Sequence, residues 1–437
     1  MIQRSFLTSH FIALKVIVCF SISLISGCQI SQKFFGIEEY QLDNIQTNQF
    51  FLNSNDSVIG QIAAIYSREG ETLPDIARHF SLGFNEIART NKNLDAWHVK
   101  PDTKVLLPLM FILPDAAQRG IVINLANMRL FYYPVQYSDG PVKRVLSFPL
   151  GIGKKGWATP KGKTRIIRKT KSPNWVVPAS IRKEHALKGD PLPAVVKAGP
   201  NNPLGQYALR LGFPGYLLHG TNKPYGVGLR ISHGCVRLYP EHIETLFNKV
   251  SVGTSVKIVD QPYLIGWRDN MLYLSVHSSK VKQSKIFKQL KTKLFKALQK
   301  KPHLAGININ WLTVEKVLEE ATGIPSPVLT SHNPQAVSIN NAPIVRRPEL
   351  LYGIPVVPPL SEGDWSVVAS TFISKNPAIK LAAMLNHQGP QILSRVLERH
   401  DEYHVIAGPF DSKKQAIKIA RRIAREFEFD AKVQQIY

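Results

Sequence analysis

Residues 216–239 read Tyr-Leu-Leu-His-Gly-Thr-Asn-Lys-Pro-Tyr-Gly-Val-Gly-Leu-Arg-Ile-Ser-His-Gly-Cys-Val-Arg-Leu-Tyr. The stretch holds His219, His233 and Cys235, with Thr221, Ser232 and Arg237 around them. Gly220, Gly226, Gly228 and Gly234 let backbone approach closely. A thiol needs a base to become a nucleophile, and acyl transfer needs backbone N–H groups aimed at the reacting carbonyl. These residue types supply both. The stretch therefore predicts acyl transfer through Cys235, with either histidine as base when spacing alone is considered. The N–H groups of Gly234 and Cys235 are the expected oxyanion donors. Arg237, two positions past the thiol, suits either a substrate carboxylate or a structural ion pair. Ser232 is expected to bond to nearby backbone. No carboxylate or further cysteine stands close in sequence, and His-Glu-x-x-His is absent, so no metal is expected.

Outward from this stretch the chain alternates with period two. Ile121–Asn124, Arg129–Tyr133, Val145–Gly153 and Thr164–Lys169 read as successive strands joined by turns. No Gly-x-Gly-x-x-Gly or phosphate loop opens a helix, so no nucleotide cofactor is expected. Residues 119–260 thus predict a mainly β catalytic domain. The Pro-, Gly- and Asn-rich segment 172–209 is expected to form a long ordered loop over a cleft. Within it Trp175, Arg182, Lys188 and Lys197 are candidates to meet an acidic peptide.

The 437 residues allow roughly two to four domains. A formal net charge of +24 favours an anionic partner: nucleic acid, acidic lipid or an acidic polymer. The N-terminus chooses among them. Arg4 and Lys15 lead into the apolar run Val16–Ile25 and then Ser26-Gly27-Cys28, the order of a secretory signal. Ile25-Ser-Gly-Cys28 also resembles a bacterial lipobox, which implies a lipoprotein signal peptide at 1–27 and lipidation at Cys28. Gln29 after that cysteine implies the outer membrane. Residues 28–60 read as a polar tether. With Cys19 inside the leader, no structural disulfide is expected, and the remaining thiol Cys235 invites a catalytic reading.

Residues 61–109 form a small module. Thr72 is the expected N-cap of a helix with Pro74 and Asp75 in its first turn. A second helix and the strand Lys104–Pro108 follow. This βααβ order resembles a LysM glycan-binding module at Gly70-Glu-Thr-Leu73, Ile76-Ala77, Asn91 and Val105–Pro108, and departs from it at Trp97 and Pro101-Asp102-Thr103. Residues 261–324 read as a basic helical extension. Its lysine-rich span Lys280–Lys301 carries Phe287, Leu290, Leu294 and Leu298 on one stripe. Two readings stay open for it: an anionic surface as partner, or packing on the catalytic domain. Residues 325–362 read as an extended linker. Residues 363–437 have βαββαβ order, the split-βαβ arrangement of an α+β domain. Trp365, Asn376 and Tyr403-His-Val-Ile-Ala-Gly-Pro-Phe410 resemble a SPOR domain, which implies peptidoglycan binding. The aromatic signature of RNA-recognition motifs is absent, so no nucleic acid is expected.

The catalytic stretch carries a specific resemblance. Ile123-Asn124, Arg129-Leu130, Gly151-Ile-Gly153, Thr159-Pro-Lys-Gly162, Pro173-Asn-Trp175, Gly199-Pro-Asn-Asn-Pro-Leu-Gly205, His219-Gly-Thr-Asn222 and Ser232-His-Gly-Cys-Val-Arg-Leu238 are similar, in order, to the YkuD-type L,D-transpeptidases. The resemblance implies a β-sandwich-like catalytic fold with Cys235 as nucleophile and His219 as proton acceptor and donor. In that pattern the Gly220 carbonyl orients the imidazole, and His233 positions or polarises the thiolate. The implied reaction releases D-alanine from a tetrapeptide stem and passes the acyl group to an amine. The amine belongs to another stem, giving a 3→3 cross-link, or to an envelope lipoprotein. The alternatives are an L,D-carboxypeptidase using water, a non-catalytic peptidoglycan-binding envelope protein, and a cysteine protease on L-peptides. The expected place is the bacterial periplasm, lipid-anchored, with the septum as one option.

Overall fold

The computed structural model describes residues 47–53, 56–134, 142–187, 189–278, 285–331, 339–351, 353–387 and 389–436. The expected signal peptide, Cys28 and most of the tether lie outside them.

One nine-stranded sheet forms the catalytic body. Its order is Gln49–Asn53, Val142–Pro149, Arg129–Tyr133, Gly120–Asn124, Ser255–Val259, Gly162–Lys171, Tyr207–Leu211, Leu217–His219 and Val236–Arg237. The long strand Gly162–Lys171 joins two halves. Its first residues pair with Ser255–Ile258, and those from Ile166 onward pair with Tyr207–Leu211. Ile121, Ile123, Leu130 and Phe148 from one half share a core with Leu209, Leu218 and Val236 from the other, closed by Ile243 and Leu246 of the helix Pro240–Lys249. The expected sandwich-like layering is therefore a single sheet curled over its own apolar face.

The opposite face, with Val122, Phe131, Tyr133 and Val145, packs on the βααβ module. That module consists of the antiparallel pair Val58–Tyr66 and Lys104–Ile112 with helices Leu73–His79 and Phe84–Thr90. Thr72 caps the first helix in a reciprocal capping box with Asp75. Asn91 clamps the second helix to the closing strand, exchanging bonds with the Leu106 backbone at 2.9 and 3.0 Å. The module is tied to the sheet by Arg129, whose fully buried guanidinium meets Glu86 at 2.7 Å.

Three expectations need correction. The tether reading fails at Gln49–Asn53, which is an edge strand paired with Val142–Leu146. Phe50 and Leu52 face the core on alternate positions while Phe51 is exposed, the period of a half-buried strand. Residues 261–324 are more than a helical extension. A hairpin, Tyr263–Arg268 with Met271–Val276, turns through Asp269 and Asn270, both with positive φ. The helices Lys285–Gln299 and Trp311–Glu320 pack on it. Leu290 and Leu294 are buried against Leu272, Leu274 and Val276, so the apolar stripe faces protein. Finally, part of the linker is strapped to the βααβ module. Ala64 N–H donates to Pro343 O, Val345 N–H to Ala64 O, and buried Arg347 meets Glu71 at 2.7 Å.

The C-terminal domain has strand order Ser394–Arg399, Glu402–Phe410, Trp365–Phe372, Lys432–Gln435, with helices Lys375–His387 and Lys413–Phe427 packed on it. It meets the βααβ module through His387–Asp75 at 2.7 Å and Lys380–Asp95 at 2.6 Å. Its second helix reaches the catalytic domain through Arg425–Asp190 at 3.5 Å.

Candidate active site

Alternation along two short parallel strands builds the site. Leu218 pairs with Val236 and His219 with Arg237. Leu218, Val236 and Leu238 point into the core, so His219, Cys235 and Arg237 take the other face. All three line one cleft of about 1000 Å³, together with His233, Ser232, Trp157, Trp175 and Tyr216. The register continues across the sheet. Thr170, Ala208, His219 and Arg237 are successive partners on four strands; in the adjacent row Arg168 pairs with Arg210 and Arg210 with Leu217. The parallel register of Leu218 with Val236 sets Cys235 beside Leu217 at the end of that second row, and the thiol donates to Gly215 O at 3.7 Å.

The turn that presents Cys235 is held by backbone. Ser232 Oγ donates to Cys235 O at 2.6 Å and accepts from Gly234 N at 3.2 Å. Thr159 Oγ1 donates to Gly234 O at 2.8 Å. Gly234 has φ +103°, and a Cβ there would lie 2.9 Å from Tyr216 Cε1, so only glycine fits. The expectation that Gly234 N–H serves an oxyanion is thus at odds with the geometry, because Ser232 holds it. The expected local bonding of Ser232 is present.

His219 is buried, with Nδ1 2.6 Å from Gly220 O. A carbonyl only accepts, so Nδ1 carries the proton and the neutral ring leaves Nε2 as the acceptor. Burial, reinforced by the Arg237 charge, lowers the His219 pKa to about 3, against the pull of the Gly220 and Leu204 carbonyls. The ring is therefore neutral across the physiological range. Burial raises the Cys235 thiol above its ordinary value, partly offset by the Leu217 N–H and the Arg237 charge. Arg237 is half-buried, its Nε has no hydrogen-bond partner among the described residues, and no described carboxylate forms an ion pair with it. The structural ion pair considered for it is absent among those residues.

His233 is turned to a different partner. Its Nε2 lies 2.9 Å from Glu184 Oε2, and its ring meets Trp157 edge-on at 4.9 Å. Glu184 also binds Lys154 at 2.7 Å. Glu184 sits on the helix Ala179–Leu187, inside the segment expected to be loop, where Trp175–Val176 also pairs with Val195–Val196. Buried Asn202 ties the base of this cover, donating to Pro173, Val196 and Lys197 carbonyls. Of the residues expected to meet peptide, Trp175 lines the cleft, whereas Arg182 and Lys197 do not; Lys188 lies outside the described residues. Sequence reasoning missed Glu184, Trp157, Arg168 and Arg210. Glu184 is 49 positions from His233 and carries no local signal.

Residues 118–258 match the L,D-transpeptidase catalytic domain family, YkuD, and residues 361–434 match the SPOR domain. A probable L,D-transpeptidase YbiS from Escherichia coli is 42% identical over 225 residues, 51% of this chain and 72% of its own. A probable L,D-transpeptidase ErfK/SrfK from Salmonella typhimurium is 35% identical over 273 residues, 61% of this chain and 86% of its own. Among solved structures, L,D-transpeptidase 3 from Mycobacterium tuberculosis is similar over 32% of this chain and 60% of its own, at 18% identity and a TM-score of 0.23. The chain belongs to the L,D-transpeptidase family of acyltransferases, joined here to a C-terminal SPOR domain. The two matched domains imply peptidoglycan as the polymer it meets and the cell envelope as its place.

Proposed function

We propose that Cys235 and His219 carry out a two-step acyl transfer on peptidoglycan stem peptides. The observation that carries this reading is the His219 Nδ1–Gly220 O bond. It fixes the tautomer that a general base needs, on the sheet face that also bears the thiol. His219 Nε2 takes the thiol proton, and the sulfur forms a bond to the carbonyl carbon at the L-centre of the third stem residue. The oxyanion collapses, the peptide C–N bond breaks, and D-alanine leaves with the proton from His219. A thioester remains on Cys235. An amine then attacks it, gives its proton to His219, and expels the thiolate as the new amide forms.

In this reading the Cys235 N–H faces the oxyanion, since Ser232 occupies the Gly234 N–H. Arg237 holds a substrate carboxylate, and the Glu184–His233 pair sets the wall of the cleft beside Trp157. The acceptor is a stem amine or the lysine of an envelope lipoprotein; water in its place gives a carboxypeptidase. Residues 61–109 serve as a LysM-like glycan contact, and lipidation of Cys28 anchors the chain in the periplasm. The test is to incubate the protein and a Cys235→Ala variant with disaccharide-tetrapeptides and weigh the products. Wild type should yield loss of D-alanine with dimer formation, and the variant neither. Equal products from both proteins would defeat the assignment of Cys235.

A further inference from the structure

The mechanism above leaves two of the cleft's arginines without a role. Arg168 and Arg210 are direct register partners on neighbouring antiparallel strands, and both line the cleft. Like charges placed opposite each other in a sheet repel and cost stability. Here the cost is not relieved by acid. Among the described residues Arg168 Nε donates to Thr170 Oγ1 at 3.4 Å, and none of those that line the cleft is a carboxylate. Both side chains are exposed to it. Two guanidinium forks side by side, facing an open cleft, suit a planar anion that bridges them.

Their position sets which anion. Arg168, Arg210 and Leu217 follow one another along one row of the sheet, and the parallel register of Leu218 with Val236 sets Cys235 beside Leu217. At about 4.8 Å between strands, the Arg210 backbone lies roughly 10 Å from that of Cys235, and the Arg168 backbone roughly 14 Å. An extended peptide advances about 3.3 Å per residue. A group held by this pair thus sits roughly three to four residue lengths from the carbonyl that the thiol attacks. Arg237, next to Cys235, is too close to hold the same group.

We propose that Arg168 and Arg210 form a carboxylate-recognition subsite that grips a free carboxylate of the peptide, away from the scissile bond. The subsite selects acidic stem peptides over those whose carboxylates are amidated. This deepens the transpeptidase reading and rests on it for the identity of the peptide.

Binding and turnover separate the two ideas. In a full-length Cys235→Ala background, calorimetry would compare a disaccharide-tetrapeptide carrying free carboxylates with the same molecule amidated at its carboxylates remote from the scissile bond. Arg168→Gln with Arg210→Gln should weaken binding of the free form about tenfold and leave the amidated form unchanged. The amidated form should bind the parent protein as weakly as the free form binds the double variant. The thermal midpoint should stay the same or rise, because a like-charge pair is removed. Equal affinity for both peptides in the parent, or equal loss of both in the variant, would overturn the subsite. In turnover with Cys235 intact, the double variant should raise KM for the free donor and spare kcat. If intact protein releases no D-alanine from either donor, the transpeptidase reading falls, while the calorimetric comparison still decides the subsite.

Discussion

Arg129 offers a sharp test of how the βααβ module is held to the catalytic sheet. Its side chain has no exposed surface, and Nη1 meets both Glu86 oxygens, at 2.9 and 2.7 Å. Nη2 donates to Ser81 O at 3.0 Å, Nε to Ser147 Oγ at 2.8 Å, and the guanidinium stacks 3.8 Å from the Phe111 ring centroid. Replacing it with methionine keeps most of the volume but strands Glu86, whose side chain is 17% exposed, beside the empty site. Breaking one side of a buried pair costs about 3–5 kcal/mol. Glu86→Gln should cost at least as much, because the stranded guanidinium cannot shed its charge. The Arg129→Met/Glu86→Gln double variant strands no ion and should recover about 2 kcal/mol or more of the summed loss. Hydrogen exchange read by mass spectrometry reports this locally, without requiring the whole chain to unfold in one step. Amides of Arg129–Tyr133 and Phe84–Thr90 should exchange roughly 10²- to 10³-fold faster in either single variant, since about 1.4 kcal/mol is tenfold. If both single variants stay within threefold of wild type, or the double variant shows the simple sum, the pair does not join module and sheet as argued.

Two further predictions concern titration. With His219 neutral down to about pH 3 and the thiol raised by burial, the resting pair is thiol and imidazole rather than thiolate and imidazolium. A thiol at its ordinary value of 9.0 is about 1% thiolate at pH 7, so alkylation of Cys235 by iodoacetamide should climb about tenfold per unit between pH 6 and 8. Arg237→Gln should shift that curve to higher pH, and a rate already level between pH 5 and 7 would contradict the assignment. At the domain junction, burial opposes the charge on His387, but the Asp75 hydrogen bond and charge outweigh it and raise the pKa above 6.5. A raised folded pKa adds stability that is fully present below pH 6.5 and lost as pH climbs through the folded value. Thermal scans should therefore show the wild type losing stability from pH 6 toward 8.5 relative to His387→Gln; parallel curves would remove the linkage.

Much of the candidate site was legible in the chain because its parts are close together in sequence. His219, Ser232, Gly234, Cys235 and Arg237 span fewer than twenty residues, and period-two alternation puts the thiol and Arg237 on one face. The N-cap at Thr72 and the βαββαβ order of the last domain follow from local propensity in the same way. Local pattern failed where partners are distant. The strand Gln49–Asn53 alternates over only five residues, too few to stand out until Val142–Leu146 supplies its hydrogen bonds. Lys285–Gln299 reads as amphipathic either way, and only the hairpin packed on it says that its stripe faces protein.

Between the two histidines, spacing made no choice; the resemblance favoured His219, and the structure gives the physical difference. His219 bonds to a carbonyl one residue away and keeps Nε2 free of its proton, whereas His233 meets a carboxylate 49 positions upstream. The sequence by itself pointed to Cys235 as the candidate nucleophile and to the alternating faces of the strands, since each depends on neighbours within a few residues. Tertiary structure alone decided the Glu184 partner, the absence of an ion-pair partner for Arg237 among the described residues and the Arg168–Arg210 row, because cross-strand register brings together residues whose separation in the chain carries no pattern.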